Sequence, residues 1–112
     1  MDVKQKIINI KGRPKMFISE LRVDYIYHYL EGYLSCFKEF KLSIEDDINL
    51  IFFSDFSHWT HEWINKNLAP VDFSFVWYKM IKDATKNEDD ATNLFFRISD
   101  EFFEKFSKSS AK

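Results

Sequence analysis

Ile26, Leu30, Tyr33, Phe37 and Phe40 recur at steps of four, three, four and three, while Asp24, His28, Glu31, Ser35 and Lys38 repeat the same steps on another face. Two offset stripes of this period are the signature of an amphipathic helix, here about 20 residues and about 30 Å long. Ser19 is the expected N-cap, and Glu20 follows it near the positive end of the helix dipole. Similar stripes run through Phe52, Phe56, Trp59 and Trp63 and through Ala91, Phe95, Ile98, Phe102 and Phe106. They predict a helix from about Ser54 to Asn67, ended by Leu68-Ala69-Pro70, and a last helix starting in Glu88-Asp89-Asp90. Between them, Ser74 is expected to cap a helix bearing Phe75, Tyr78 or Trp77, and Ile81, and stopping near Asn87.

Only two Gly and two Pro occur in 112 residues, where all-β domains need many at their tight turns. A hydrophobic content of 46% with 19% aromatic excludes a disordered chain, and thirteen Phe make the core phenylalanine-rich. The expectation is all-α: a single compact domain over residues 1–112, with about five helices. Residues 2–10 read as a short helix or an extended arm, anchored by Ile7, Ile8 and Ile10. Gly12 and Pro14 punctuate the chain, Met16, Phe17 and Ile18 plug the end of the core, and residues 107–112 form a frayed tail. Gly32, inside the long helix, is read as a site of close packing against a neighbour.

Charge narrows the partners. Lys4, Lys6, Lys11, Arg13 and Lys15 against Asp2 make residues 1–15 +4, which leaves −6 for residues 16–112 of a net −2. An acidic body repels phosphate backbones and suits a basic protein partner, so direct nucleic-acid binding is not expected. The single cysteine, Cys36, cannot form an intramolecular disulfide and sits on a helix as a small apolar side chain. No apolar run approaches the roughly 20 residues that span a bilayer, and the Lys-rich start lacks a signal-type apolar region. The expected location is cytoplasmic, away from membranes.

Catalytic and metal patterns are weak. His58 and His61 lie three apart with Glu62 outside the pair, whereas zincin-type helices place two histidines four apart with the base between them. No phosphate loop, nucleophile motif or dinucleotide fingerprint is present. The expectation is a chain without catalytic residues, metal or cofactor.

Two early segments carry a resemblance. Arg13-Pro14-Lys15-Met16-Phe17-Ile18, followed after a spacer by Tyr29-Leu30-Glu31-Gly32-Tyr33, resembles a family of small bacterial immunity proteins. These are the cytosolic antidotes encoded beside polymorphic toxins of the contact-dependent growth inhibition and Rhs type. The similarity continues through Phe56 to Trp63, Trp77-Tyr78-Lys79-Met80-Ile81, Asp90-Ala91-Thr92-Asn93-Leu94-Phe95-Phe96 and Asp100-Glu101-Phe102. It implies a protein that binds and neutralises a cognate toxin domain, with a nuclease preferred over a membrane-active or other toxin. The alternative reading is a small helical regulator or adaptor.

Carboxylates that mimic phosphate, with a few aromatic anchors, are what occluding a basic nuclease cleft requires. Glu45, Asp46 and Asp47 are the first candidates because few apolar residues anchor that segment inward. Asp55, Glu88, Asp89 and Asp90 come next. Tyr27 falls outside the main apolar stripe and is the candidate exposed anchor.

Overall fold

The computed structural model describes the backbone of residues 2–40 and 47–110, and the side chains of residues 2–35 and 48–106. Among the described residues five α-helices follow one another: α1 (Val3–Gly12), α2 (Val23–Phe40), α3 (Asp47–Asn67), α4 (Trp77–Asp83) and α5 (Glu88–Ser110). A single 3-10 turn, Pro14–Met16, joins α1 to α2, and no strand occurs among the described residues. The all-α expectation with a Phe-rich core holds.

The core is an aromatic stack between α3, α4 and α5. Phe52 and Phe56 stack at 4.3 Å between ring centres, one helical turn apart on α3. Trp77 stacks on Phe95 at 4.8 Å, and Phe56 meets the edges of Trp77 and Phe102 at 5.2 and 5.3 Å. These offset and edge-on geometries are the ones ring quadrupoles favour. The short α4 lies between α3 and α5 and touches α2 as well, so its buried Trp77, Met80 and Ile81 are shared by three longer helices. Two tryptophans of α3 keep their polar edges satisfied on α5: Trp59 Nε1 donates to the Ile98 carbonyl and Trp63 Nε1 to Glu101 Oε2.

Residues 3–12 are helical, resolving the choice between helix and arm. Asp2 caps α1 by accepting from the Gln5 N–H, and the Val3 N–H donates to Asn49 Oδ1 at 2.7 Å. Asn49 is buried, so this bond satisfies an orphan donor of α1 while docking it on α3. It also explains why α3 reaches back to Asp47, beyond the expected start near Ser54: Ile48, Asn49 and Phe52 all face protein, extending the Phe56–Trp63 stripe toward the N-terminus.

Several expectations are corrected. Helix α2 begins at Val23, so Ser19 is exposed and outside it; the turn is fixed by the need to bury both Ile18 and Val23. Met16 is 69% exposed and Ile8 54%, leaving Ile7, Ile10 and Ile18 as the buried members of the entry segment. Helix α4 ends at Asp83, because Asn87 is committed to starting α5: its Oδ1 accepts from the Asp90 N–H and its Nδ2 donates to Asp90 Oδ2. Helical backbone continues to Ser110, four residues into the expected frayed tail.

Gly32 is not a packing glycine. It is exposed, and a Cβ built there would meet no heavy atom within 4 Å outside its own helix backbone. Its φ lies outside the left-handed region, so glycine there carries only its entropic cost. Gly32→Ala is therefore expected to raise the urea midpoint, stabilising the fold by about 0.5–1 kcal/mol. Destabilisation in that measurement would restore the close-packing reading.

Candidate protein-binding surface

The segments Arg13–Ile18 and Tyr29–Tyr33 fold against each other. Phe17 meets Tyr29 edge-on at 6.0 Å, and the Lys6 ammonium sits 5.8 Å from the Phe17 and Tyr29 ring centres and 5.2 Å from Tyr33. Lys6 Nζ also donates to the Tyr29 hydroxyl at 3.3 Å. The residues of this junction join α1, the 3-10 turn and α2; they build the scaffold.

The candidate contact residues scatter. Glu45 and Asp46 lie outside the described residues; Asp47 opens α3, with its side chain also outside them. Asp55 is exposed on α3 and accepts from Ser54 Oγ. Glu88, Asp89 and Asp90 form the acidic first turn of α5, where anions oppose the helix dipole favourably. Only Asp89 of the three is free of a structural task there: Asp90 pairs with the Asn87 cap, and Glu88 belongs to an ion cluster.

In that cluster Arg22 grips Asp24 with two bonds of 3.1 Å. Lys82 Nζ stands 3.8 Å from Asp24 Oδ2 and 3.5 Å from Glu88 Oε1, and Arg22 Nε is 3.9 Å from Glu88 Oε1. Both Glu88 carboxylate oxygens are shielded from solvent and accept no well-aligned hydrogen bond, so their compensation is electrostatic. Arg22, Lys82 and Lys86 line an open depression of about 450 Å³ at this point. Two of these cations are already taken up by Asp24 and Glu88, which makes the cluster a clamp on α2, α4 and α5.

Tyr27 is not an exposed anchor. It is half-buried, with its ring 5.1 Å from Trp77 and 5.0 Å from Tyr78. Tyr27 lies off the main apolar stripe and is covered all the same, because α4 packs on a second side of α2. Burial, with the Glu31 charge and Tyr78 next to it, pushes the Tyr27 hydroxyl pKa up; burial likewise raises the Glu31 carboxyl, against a smaller opposing effect of His28.

A surface that the sequence did not single out lies between α3 and α4. The segment from Val71 to Phe75 runs back along α3. The Val71 carbonyl lies 3.0 Å from His61 Nε2, which also lies 3.2 Å from Asn65 Nδ2, and the Val71 N–H donates to Asn65 Oδ1. Phe73 stacks on His58 at 4.7 Å and meets His61 edge-on at 5.4 Å. Phe75 meets His58 at 5.8 Å and Phe73 at 4.9 Å, and its carbonyl accepts from Ser57 Oγ at 2.7 Å. Phe75 is nonetheless 73% exposed, correcting its expected place on α4. His58 and His61 thus hold this segment, and no group of three or more His, Cys, Asp or Glu among the described residues could hold a metal ion. The alternation of Val71, Phe73 and Phe75 at every second residue was the signal available.

No helix among the described residues is long and apolar enough to cross a membrane. Comparison with protein-family models, curated proteins and solved structures gives no match.

Proposed function

We propose that this chain is an immunity protein that binds and neutralises a cognate toxin domain, a nuclease of a contact-dependent inhibition or Rhs-type system, without catalysis of its own. The observation that carries the reading is the junction of Arg13–Ile18 with Tyr29–Tyr33: segments separated in the chain, and resembling the same family, contact each other through Phe17, Tyr29 and Lys6. The −6 balance of residues 16–112 supports a basic partner.

Co-expression supplies the test. Cells producing the toxin module encoded directly upstream should survive with this chain and die without it, and the two proteins should co-elute in size-exclusion chromatography. Absence of both protection and complex would leave the regulator or adaptor reading in its place.

A further inference from the structure

Phe75 presents a puzzle of placement. Helix α3 commits Ser57, His61 and Asn65 to backbone groups of the 71–75 segment and His58 to its rings, yet the outward result is a phenylalanine 73% exposed. Burial of that ring contributes little to folding, so the core does not account for it. A rigidly held, exposed aromatic is what an interface anchor requires, since its ordering cost is met before the partner arrives.

The surroundings select the partner. Asp55, His58 and Glu62 stand at i, i+3 and i+7 and so share one face of α3, and Asp72 directly precedes Phe73. Asp55, Glu62 and Asp72 are all exposed, and among the described residues none of them forms an ion pair. Between residues 53 and 76 the one Lys or Arg is Lys66. An apolar partner would strip water from three uncompensated carboxylates, which is costly. A second copy packed across a twofold axis would set those acids against themselves. A cationic surface meets both demands, because guanidinium groups pair with carboxylates and also lie over aromatic faces.

Resting on the immunity reading, we infer that the face formed by His58, Phe73 and Phe75 with Asp55, Glu62 and Asp72 is the docking surface for an arginine-bearing basic surface of the toxin. Phe75 is its anchor and Asp72 the nearest carboxylate in the chain.

The test measures binding of the upstream toxin module to the wild-type chain, to the double variant Asp72→Lys/Phe75→Ser, and to Asp83→Lys as an exposed acid elsewhere. Helicity is checked by circular dichroism. The double variant should keep its fold and lose about tenfold or more in affinity, the scale of losing one anchor, while Asp83→Lys stays within about twofold. If the double variant binds as tightly as wild type, the face is wrong and the immunity reading survives. If the wild-type chain binds no toxin, the immunity reading falls, and hexa-arginine peptide decides the surface. Amide shifts at Asp55, Glu62 and Asp72 to Phe75 on titration would uphold a basic-partner face, whereas shifts confined to other acids would overturn it. A dimer that the double variant dissolves would overturn it too, in favour of a second copy of the chain.

Discussion

Phe56→Ala is expected to cost about 3–5 kcal/mol of folding free energy. Phe56 is 1% exposed and touches four aromatic rings: it stacks on Phe52 and meets Trp77, Phe95 and Phe102 edge-on. Truncation removes both its transfer free energy and those ring contacts, and leaves a cavity whose walls come from three helices and cannot all collapse inward. Domains of this size are stable by only about 5–15 kcal/mol, so the loss takes a large share. Equilibrium urea unfolding followed by far-ultraviolet circular dichroism should show a much lower midpoint at an unchanged slope. Phe75→Ala, in contrast, should move the midpoint by less than about 0.5 kcal/mol, because its ring is mostly in solvent. Equal losses in the two variants would mean that the aromatic stack is not the core.

The contrast between Phe56 and Phe75 also marks where the sequence is legible. Helical periodicity records which face of an element is buried, so the stripes through Ile26 and Leu30, through Phe52 to Trp63 and through Ala91 to Phe106 identify α2, α3 and α5. It does not record how many neighbours an element has. Tyr27 lies off the main stripe and yet packs on Trp77, because α4 covers a second side of α2. Nor do cap preferences decide a boundary: Ser19 and Ser74 both suit N-caps, but the helices begin where buried apolar residues start, at Val23 and Trp77. Ser74 Oγ instead accepts from the Val76 N–H within the connecting segment. Gly32 misled for a further reason, since a glycine needed for close packing and one merely tolerated on an open face look alike in one sequence. The docking surface was least legible of all. The spacing of His58 and His61 argues against a zincin-type site but names no other partner, and Val71, Phe73 and Phe75 are brought to them only by the fold. Of the first candidate acids, Glu45, Asp46 and Asp47, the first two and the side chain of the third fall outside the described residues.

Lys82→Met should destabilise the fold by about 1–2 kcal/mol near neutral pH, a range lowered because the lysine is partly solvated. Its ammonium lies between Asp24 and Glu88, and without it the shielded Glu88 carboxylate keeps only Arg22 at 3.9 Å. The pH dependence separates charge from packing. Burial pushes the Asp24 carboxyl pKa up, but the Arg22 hydrogen bond together with the Lys82 and Arg22 charges outweighs it, leaving the pKa below the ordinary 3.8. A depressed folded-state pKa means that the folded protein holds this proton less tightly than the unfolded chain. The Asp24 contribution is therefore present above 3.8 and drains away as pH falls through the lower, folded value. Glu31 has the opposite sign: burial raises it, so its contribution is full below the ordinary 4.5 and is lost as pH rises through the folded value. Glu31→Gln should accordingly gain stability relative to wild type as pH rises, while Lys82→Met should lose it. Urea unfolding of both variants at about pH 7 and about pH 3 checks this, with the Lys82→Met penalty shrinking at the acid end as the Asp24 contribution drains away. A penalty of the same size at both pH values would instead assign the loss to the lysine stem against Tyr78, whose ring centre lies 5.6 Å from Nζ, and the ion cluster would then be incidental to stability.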